Sequence, residues 1–328
     1  MKAIKILTMA ALATAVFTSC SSEDELAQNN YPMDNVVRIM TSVDGMNTRA
    51  SYGNSTDKLS SFGFCINNAN STTYTYDNVK VTKEGNNWNP ATQMLWQNST
   101  TAVDILAYAP YQETTEDANG KVKVFGKTDY AFSVKEDQSN AEDYSSDLIV
   151  YKQTGFTPGS KLNTSKAVDV TFTHLLSQLN LTIELRDQFN TNNNTVTKGF
   201  VTDVKVNGTI ISSKVNFSAS PISVQVDGTQ AAAITPETTG FTPAENATAH
   251  AVFNYSAIVI PQTVAAGNFS ISFKVDGTEY IWTATDAVTF ESGKKHELHL
   301  LAGKDVVQGG AISAKPWGDE TITEKETD

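Results

Sequence analysis

Residues 269–284 constrain the fold of this chain more than any other stretch. Phe269-Ser-Ile-Ser-Phe-Lys-Val275 alternates apolar and polar side chains, Asp276-Gly277 follows, and Thr278-Glu-Tyr-Ile-Trp-Thr-Ala284 alternates again. An Asp-Gly pair between alternating runs marks a two-residue hairpin turn, and such a turn fixes the register of the strands it joins. Phe273 is therefore expected opposite Tyr280 and Ile271 opposite Trp282, with Ser270, Ser272 and Lys274 on the other face. A ribbon with one apolar face needs a second layer to cover it. A second hairpin is expected from Val201 through Val204 and Val206 to Asn207-Gly208, returning along Thr209 and Ile211.

The same period of two recurs along the chain, and windows with helical apolar spacing are hard to find. Further strands are expected at Val36–Val43, Leu59–Ile66, Asn78–Thr82, Ala102–Tyr108, Lys121–Phe125, Ser146–Tyr151, Ala167–Thr173, Ser177–Leu185, Ser223–Val226, Tyr255–Ile260 and His296–Leu301. Many short strands separated by turns imply an all-β protein built of sandwiches. Single helical turns are expected near Ala141–Tyr144 and Lys304–Val307, and polar loops at Asn190–Asn194 and Thr235–Ala249. The length suits two domains, with a boundary near residue 167 and a margin of about ten residues.

The N-terminus is a separate element. Lys2 and Lys5 precede an apolar stretch, Ile6 to Phe17, that is too short to span a bilayer and reads as a signal peptide over residues 1–19. It closes on Phe17-Thr-Ser-Cys20, which resembles a lipobox, so Cys20 is the expected lipidation site, bearing a fatty acyl chain such as palmitate. Ser21-Ser-Glu-Asp-Glu25 then resembles the surface-export signal of lipoproteins in Gram-negative anaerobes. Cys65 is the one other cysteine, so no internal disulfide is expected and Cys65 reads as a small buried hydrophobe. The full chain has a formal charge of −12, and removal of a leader with two lysines and no acid makes it −14. A field of that sign repels phosphate backbones, so no nucleic-acid partner is expected.

No constellation for catalysis emerges, and the chain reads as a non-enzyme without catalytic residues, metal or cofactor. His296 and His299 are three apart in an expected strand, which places them on opposite faces. His174 falls where two apolar strands meet and reads as a packed, hydrogen-bonded histidine. Glu142-Asp143 and Glu116-Asp117 lie in polar turns as solvated charge.

Four segments in order resemble the fimbrillin family, the subunits of type V pili. They are Arg38–Ala50 (RIMTSVDGMNTRA); Met94-Leu-Trp-Gln97 with Val103–Pro110; Phe172-Thr-His-Leu-Leu-Ser-Gln-Leu179 preceded by Ser146-Asp-Leu148; and Ile258–Gln262 with Phe290, Gly293 and Trp317. The resemblance implies two tandem β-sandwich domains of transthyretin-like topology, at residues 50–167 and 168–328, after a propeptide of residues 20–49. It also implies a lipoprotein precursor at the outer membrane that becomes an extracellular fimbrium once a protease cuts Arg49-Ala50. The first strand then leaves, and a strand from another pilus subunit fills its groove by β-strand addition. In that first strand Val37, Ile39, Thr41 and Val43 alternate as one face, followed by an Asp44-Gly45 turn. The tail after Trp317, GDETITEKETD, carries five acids in eleven residues, which makes it a poor donor strand and suggests a tip or minor pilin. A host or microbial surface receptor is a further candidate partner. The alternative reading is a surface glycan-binding lipoprotein of the outer membrane, with Trp88, Trp96, Tyr74 and Tyr76 stacking on sugars.

Overall fold

Phe62-Gly-Phe-Cys-Ile66 and Ile105-Leu-Ala-Tyr-Ala109 are apolar at nearly every position, not at alternate ones, so their strands must be covered on both faces. The computed structural model, which describes residues 30–43, 56–113, 123–190 and 196–317, shows how. The first half supplies β1 (Ile39–Val43), β2 (Ser61–Asn67), β3 (Tyr76–Glu84), β4 (Asn87–Pro90), β5 (Val103–Ala109), β6 (Tyr130–Ser133), β7 (Ile149–Phe156) and β8 (Val168–His174). Seven of these form one sheet in the order β1-β8-β7-β5-β2-β3-β4. Phe64, Ile66, Ile105, Ala107 and Ile149 face one core with Phe62, Trp96 and Phe172. Cys65, Leu106, Tyr108 and Val150 point the other way, into a second core.

That second core continues into the other half of the chain. Its strands are β9 (Ser177–Leu185), β10 (Val201–Ile210), β11 (Ser212–Asn216), β12 (Ser223–Val226), β13 (Ala231–Ile234), β14 (Glu237–Thr242), β15 (Ala251–Val259), β16 (Gln262–Val264), β17 (Ser270–Val275), β18 (Thr278–Thr283), β19 (Val288–Phe290), β20 (Lys294–Ala302), β21 (Val307–Gly309) and β22 (Ser313–Pro316). A sheet β14-β15-β9-β20-β21, with β22 also on β20, and a sheet β13-β10-β17-β18 contribute to one apolar core through Leu181, Ile183, Phe253, Leu298, Val206, Ile271 and Phe273. The strand β6 pairs with β11 of the second half in a three-stranded sheet β12-β11-β6, and Tyr130 and Phe217 pack on Tyr108. The chain changes sheets at the buried Leu175 and Leu176.

The Asp276-Gly277 hairpin forms with the expected register, Phe273 on Tyr280 and Ile271 on Trp282. Both turn residues take positive φ, 48° and 79°, as a primed turn requires. The second expected hairpin does not form. Asn207-Gly208 lies inside β10, which runs on to Ile210 between β17 and β13. Its pairing with β13 shifts between Val206 and Thr209, so the dipeptide makes a bulge where a turn was expected. Three further expectations differ. Thr235–Ala249 contains β14, which pairs with β15. The described part of Lys121–Phe125 forms no strand; Val124 is buried and its amide donates to Asp77 Oδ1 at 3.0 Å. Neither Ala141–Tyr144 nor Lys304–Val307 is helical, the first opening on a turn and the second running from a bend into β21, and the one α-helix among the described residues is Pro158–Lys161.

Lys152 on β7 fastens the halves at one further point. Its ammonium donates to the carbonyls of Phe217, Ser218 and Ala219 at 2.8, 3.0 and 2.8 Å. Lys152→Met keeps the stem and removes all three bonds, so it is expected to cost about 1–3 kcal/mol. Thermal unfolding and faster amide exchange at Ser218 and Ala219 would register the loss.

Candidate functional site

The first strand is where the alternation read from the sequence meets an unusual position in the fold. Val37, Ile39 and Val43 are buried, Thr41 is half-buried, and Arg38, Met40 and Ser42 point outward. The inward residues pack in the first core with Leu59, Phe62 and Phe172. The strand pairs parallel with β8 alone, in the register Ile39 to Val168, Thr41 to Val170 and Val43 to Phe172. Parallel pairing is slightly weaker per residue than antiparallel, and a terminal strand holds on by one side.

Its second attachment lies just ahead of the strand. Val37 donates its amide to Met94 O at 3.0 Å and Trp96 donates to Asn35 O at 2.8 Å, around a Val36–Leu95 bridge. The Met94–Gln97 segment thus grips the entry to β1 while Trp96, 2% exposed, stacks on Phe156. Beyond this grip β1 and β4, the two ends of the strand order, line a cleft of about 860 Å³ with Thr56, Asp57, Lys83 and Ala167. The outward side of the entry is polar: Arg38 pairs with Asp34 at 2.6 Å, and that hydrogen bond holds the Asp34 carboxyl at a pKa of about 2.

Of the residues singled out in the sequence, Val37, Ile39, Thr41 and Val43 therefore share one face in one groove. Cys20, Arg49 and Ala50 lie outside the described residues. Met94, Leu95 and Trp96 were visible as a motif, but nothing local marked them as the clasp on the first strand.

Two other motif segments also meet. Asp147 Oδ1 lies 2.9 Å from His174 Nδ1, with both side chains buried, and Trp317 stacks on the imidazole at 4.0 Å and 3°. This is the packed histidine expected from its apolar neighbours. His296 and His299 fall on opposite faces: His296 is buried and accepts the Glu291 amide at 3.2 Å, whereas His299 faces out to Glu184 at 2.6 Å. Burial lowers the pKa of His296. Cys65 is buried, and burial pushes its thiol well up. Of the aromatics considered as sugar platforms, Trp96 is inside the core, Trp88 packs edge-on against Phe62, and the Tyr76 hydroxyl accepts the Leu95 amide at 3.0 Å.

No curated protein sequence matches the chain. Among solved structures, a protein assigned to cell adhesion from Bacteroides ovatus is similar with a TM-score of 0.62 at 13% identity, over 87% of this chain and 98% of that one. One from Bacteroides uniformis gives 0.56 at 18% identity, over 87% and 100%. A fimbrial protein from Bacteroides vulgatus gives 0.50 at 19%, over 86% and 99%. At such identities the likeness is one of fold. A fimbrillin-like family model matches residues 48–317, most of the sequence, and on that match the chain belongs to the fimbrillin-like family.

Proposed function

We propose that this pilus subunit is made as a lipoprotein precursor, lipidated at Cys20 and cut at Arg49-Ala50, and that the cut frees the first strand so that a strand of another subunit replaces it. The observation that carries this reading is the placement of β1: a terminal strand, paired on one side, with Val37, Ile39 and Val43 filling a core that every other strand of the sheet depends on. Its departure uncovers the β8 edge from Val168 to Phe172 and sockets spaced for alternate apolar side chains, the geometry that strand addition uses. The family match begins at residue 48, beside the proposed scissile bond, which supports a boundary there.

The acidic composition of the segment after Trp317 favours a subunit that accepts a strand and donates poorly, a tip or minor pilin. Before processing the lipid holds the subunit at the outer membrane; afterwards it belongs to the extracellular fimbrium, where a surface receptor is its further partner.

Limited trypsin digestion of the purified precursor, followed by N-terminal sequencing, tests the cut. One early product beginning at Ala50, otherwise resistant, is expected. Resistance at Arg49 while other sites are cut would overturn the reading. A ladder of polymers formed by this subunit alone after cleavage, stable in warm detergent, would overturn the tip assignment.

A further inference from the structure

Strands β15, β9 and β20 bury one face and turn the other outward. Phe253, Tyr255, Leu181 and Leu298 fill the core, so their neighbours along the strands share the outward face: Asn180 and Thr182, Asn254 and Ser256, Glu297 and His299. The middle of that face is hollow because the side chains of β9 and β15 there are short, whereas Glu297 and His299 beside them are long. Two walls deepen it. On one side Thr239 is the extra residue of a bulge in β14, between Thr238 opposite Tyr255 and Gly240 opposite Asn254. On the other, Gly310 and Ala311 lead from β21 toward β22, and the Gly310 amide donates to His299 O at 3.1 Å. The result is a trough of about 740 Å³.

Its polar groups are set by their neighbours. Thr182 Oγ1 donates to Asn254 Oδ1 at 3.1 Å, which orients the amide and leaves its nitrogen as the group to offer a ligand. Gly240 keeps that nitrogen uncrowded, since a β-carbon there would lie 3.3 Å from it. The charges at the rim are met within the protein. Glu297 pairs with Lys315 at 2.7 Å, and Glu184 holds His299 at 2.6 Å through one oxygen and His250 through the other. The trough therefore offers little net charge to an ion. Nor does it suit an apolar ligand, because Leu181, Tyr255 and Leu298 turn their side chains into the core.

We propose that this trough binds a neutral sugar residue of a glycan, with Asn180, Asn254 and His299 as its hydrogen-bonding partners. Sugar hydroxyls both donate and accept, so they match close-set amides, hydroxyls and an imidazole without bringing a charge that the rim has no use for. The volume falls within the range of about 300–1,000 Å³ usual for small-ligand sites, room for about one or two sugar rings. The trough lies on a different sheet from β1 and from the cleft beside Trp88, so binding does not depend on the cut at Arg49.

Saturation-transfer NMR on the uncleaved full chain tests it, with glucose, galactose, mannose, fucose, N-acetylglucosamine and lactose as neutral probes and sialyllactose as an acidic one. At least one neutral sugar is expected to bind, with an affinity that salt leaves unchanged. Ala311→Trp adds a bulky ring at an exposed wall position and should abolish that binding. Thr182→Val keeps the shape of the side chain but frees the Asn254 amide to turn, and should weaken binding about 3–10-fold with an unchanged melting temperature. Trp88→Phe should bind as the parent does. Binding by no neutral sugar, or by sialyllactose alone, overturns the proposal. So does parent-like binding in Ala311→Trp, or a loss in Trp88→Phe, which would move the site to the other cleft.

Discussion

Cleaved subunit stripped of residues 20–49 is expected to unfold about 10–20 °C below the intact precursor, and a synthetic peptide spanning Val36–Val43 is expected to restore most of that difference. The magnitude follows from what leaves with the strand. Three buried aliphatic side chains, Val37, Ile39 and Val43, are removed from the first core, each stabilising by about 1.5–3 kcal/mol when fully buried. The sum is of the same order as the whole stability of an ordinary domain. Five main-chain register pairs with β8 go as well. A peptide with Val37 and Ile39 both changed to Asp should fail to restore the transition, because each carboxylate would enter a closed apolar socket. Calorimetry on the cleaved protein with and without each peptide reads the outcome. If removal of the strand leaves the transition unchanged, the groove is not the element on which assembly turns.

Gly208→Val is expected to cost about 4 kcal/mol or more and to leave little folded protein at 37 °C. Gly208 has φ +92°, which a β-branched residue does not adopt without strain, and a β-carbon there would lie 2.0 Å from the Asn268 carbonyl oxygen. That oxygen belongs to backbone at the entry to β17, so it cannot rotate away as a side chain would. Gly277→Ala is the control. Its φ of +79° carries the same kind of backbone strain, but nothing lies within 4 Å of the added carbon. A cost of about 1–2 kcal/mol is expected there, and denaturant titration of both variants separates strain from collision.

These two glycines also mark how far a sequence carries a fold. Asp276-Gly277 and Asn207-Gly208 have the same local chemistry and similar flanking alternation, and one makes a turn while the other makes a bulge. The difference is non-local. β10 is held between β17 and β13, whose pairing keeps it extended through Gly208 to Ile210. Local turn preference loses to two ladders of hydrogen bonds with distant strands. β14 was hidden for a related reason: Glu237–Thr242 is rich in Thr and Gly, half-exposed, and defined by its partner β15 more than by its own pattern. At the candidate site the one-faced alternation from Val37 to Val43 was legible, because that period depends on a single strand. Its parallel pairing with Val168–Phe172 and its clasp by Met94–Trp96 depend on residues far away in the chain, and no short-range period encodes them.

Strands β2, β5 and β7 have a mechanical consequence, since each presents one face to each core. A fibre component is pulled from its ends. Here no slack tether separates the halves, because the chain crosses between them at buried Leu175 and Leu176, and β6 is stitched into the far half by β11. Tension applied at the β1 end therefore passes through close-packed side chains to the second half. Stretched singly, the molecule should yield in one abrupt step, without a compliant hinge extending first.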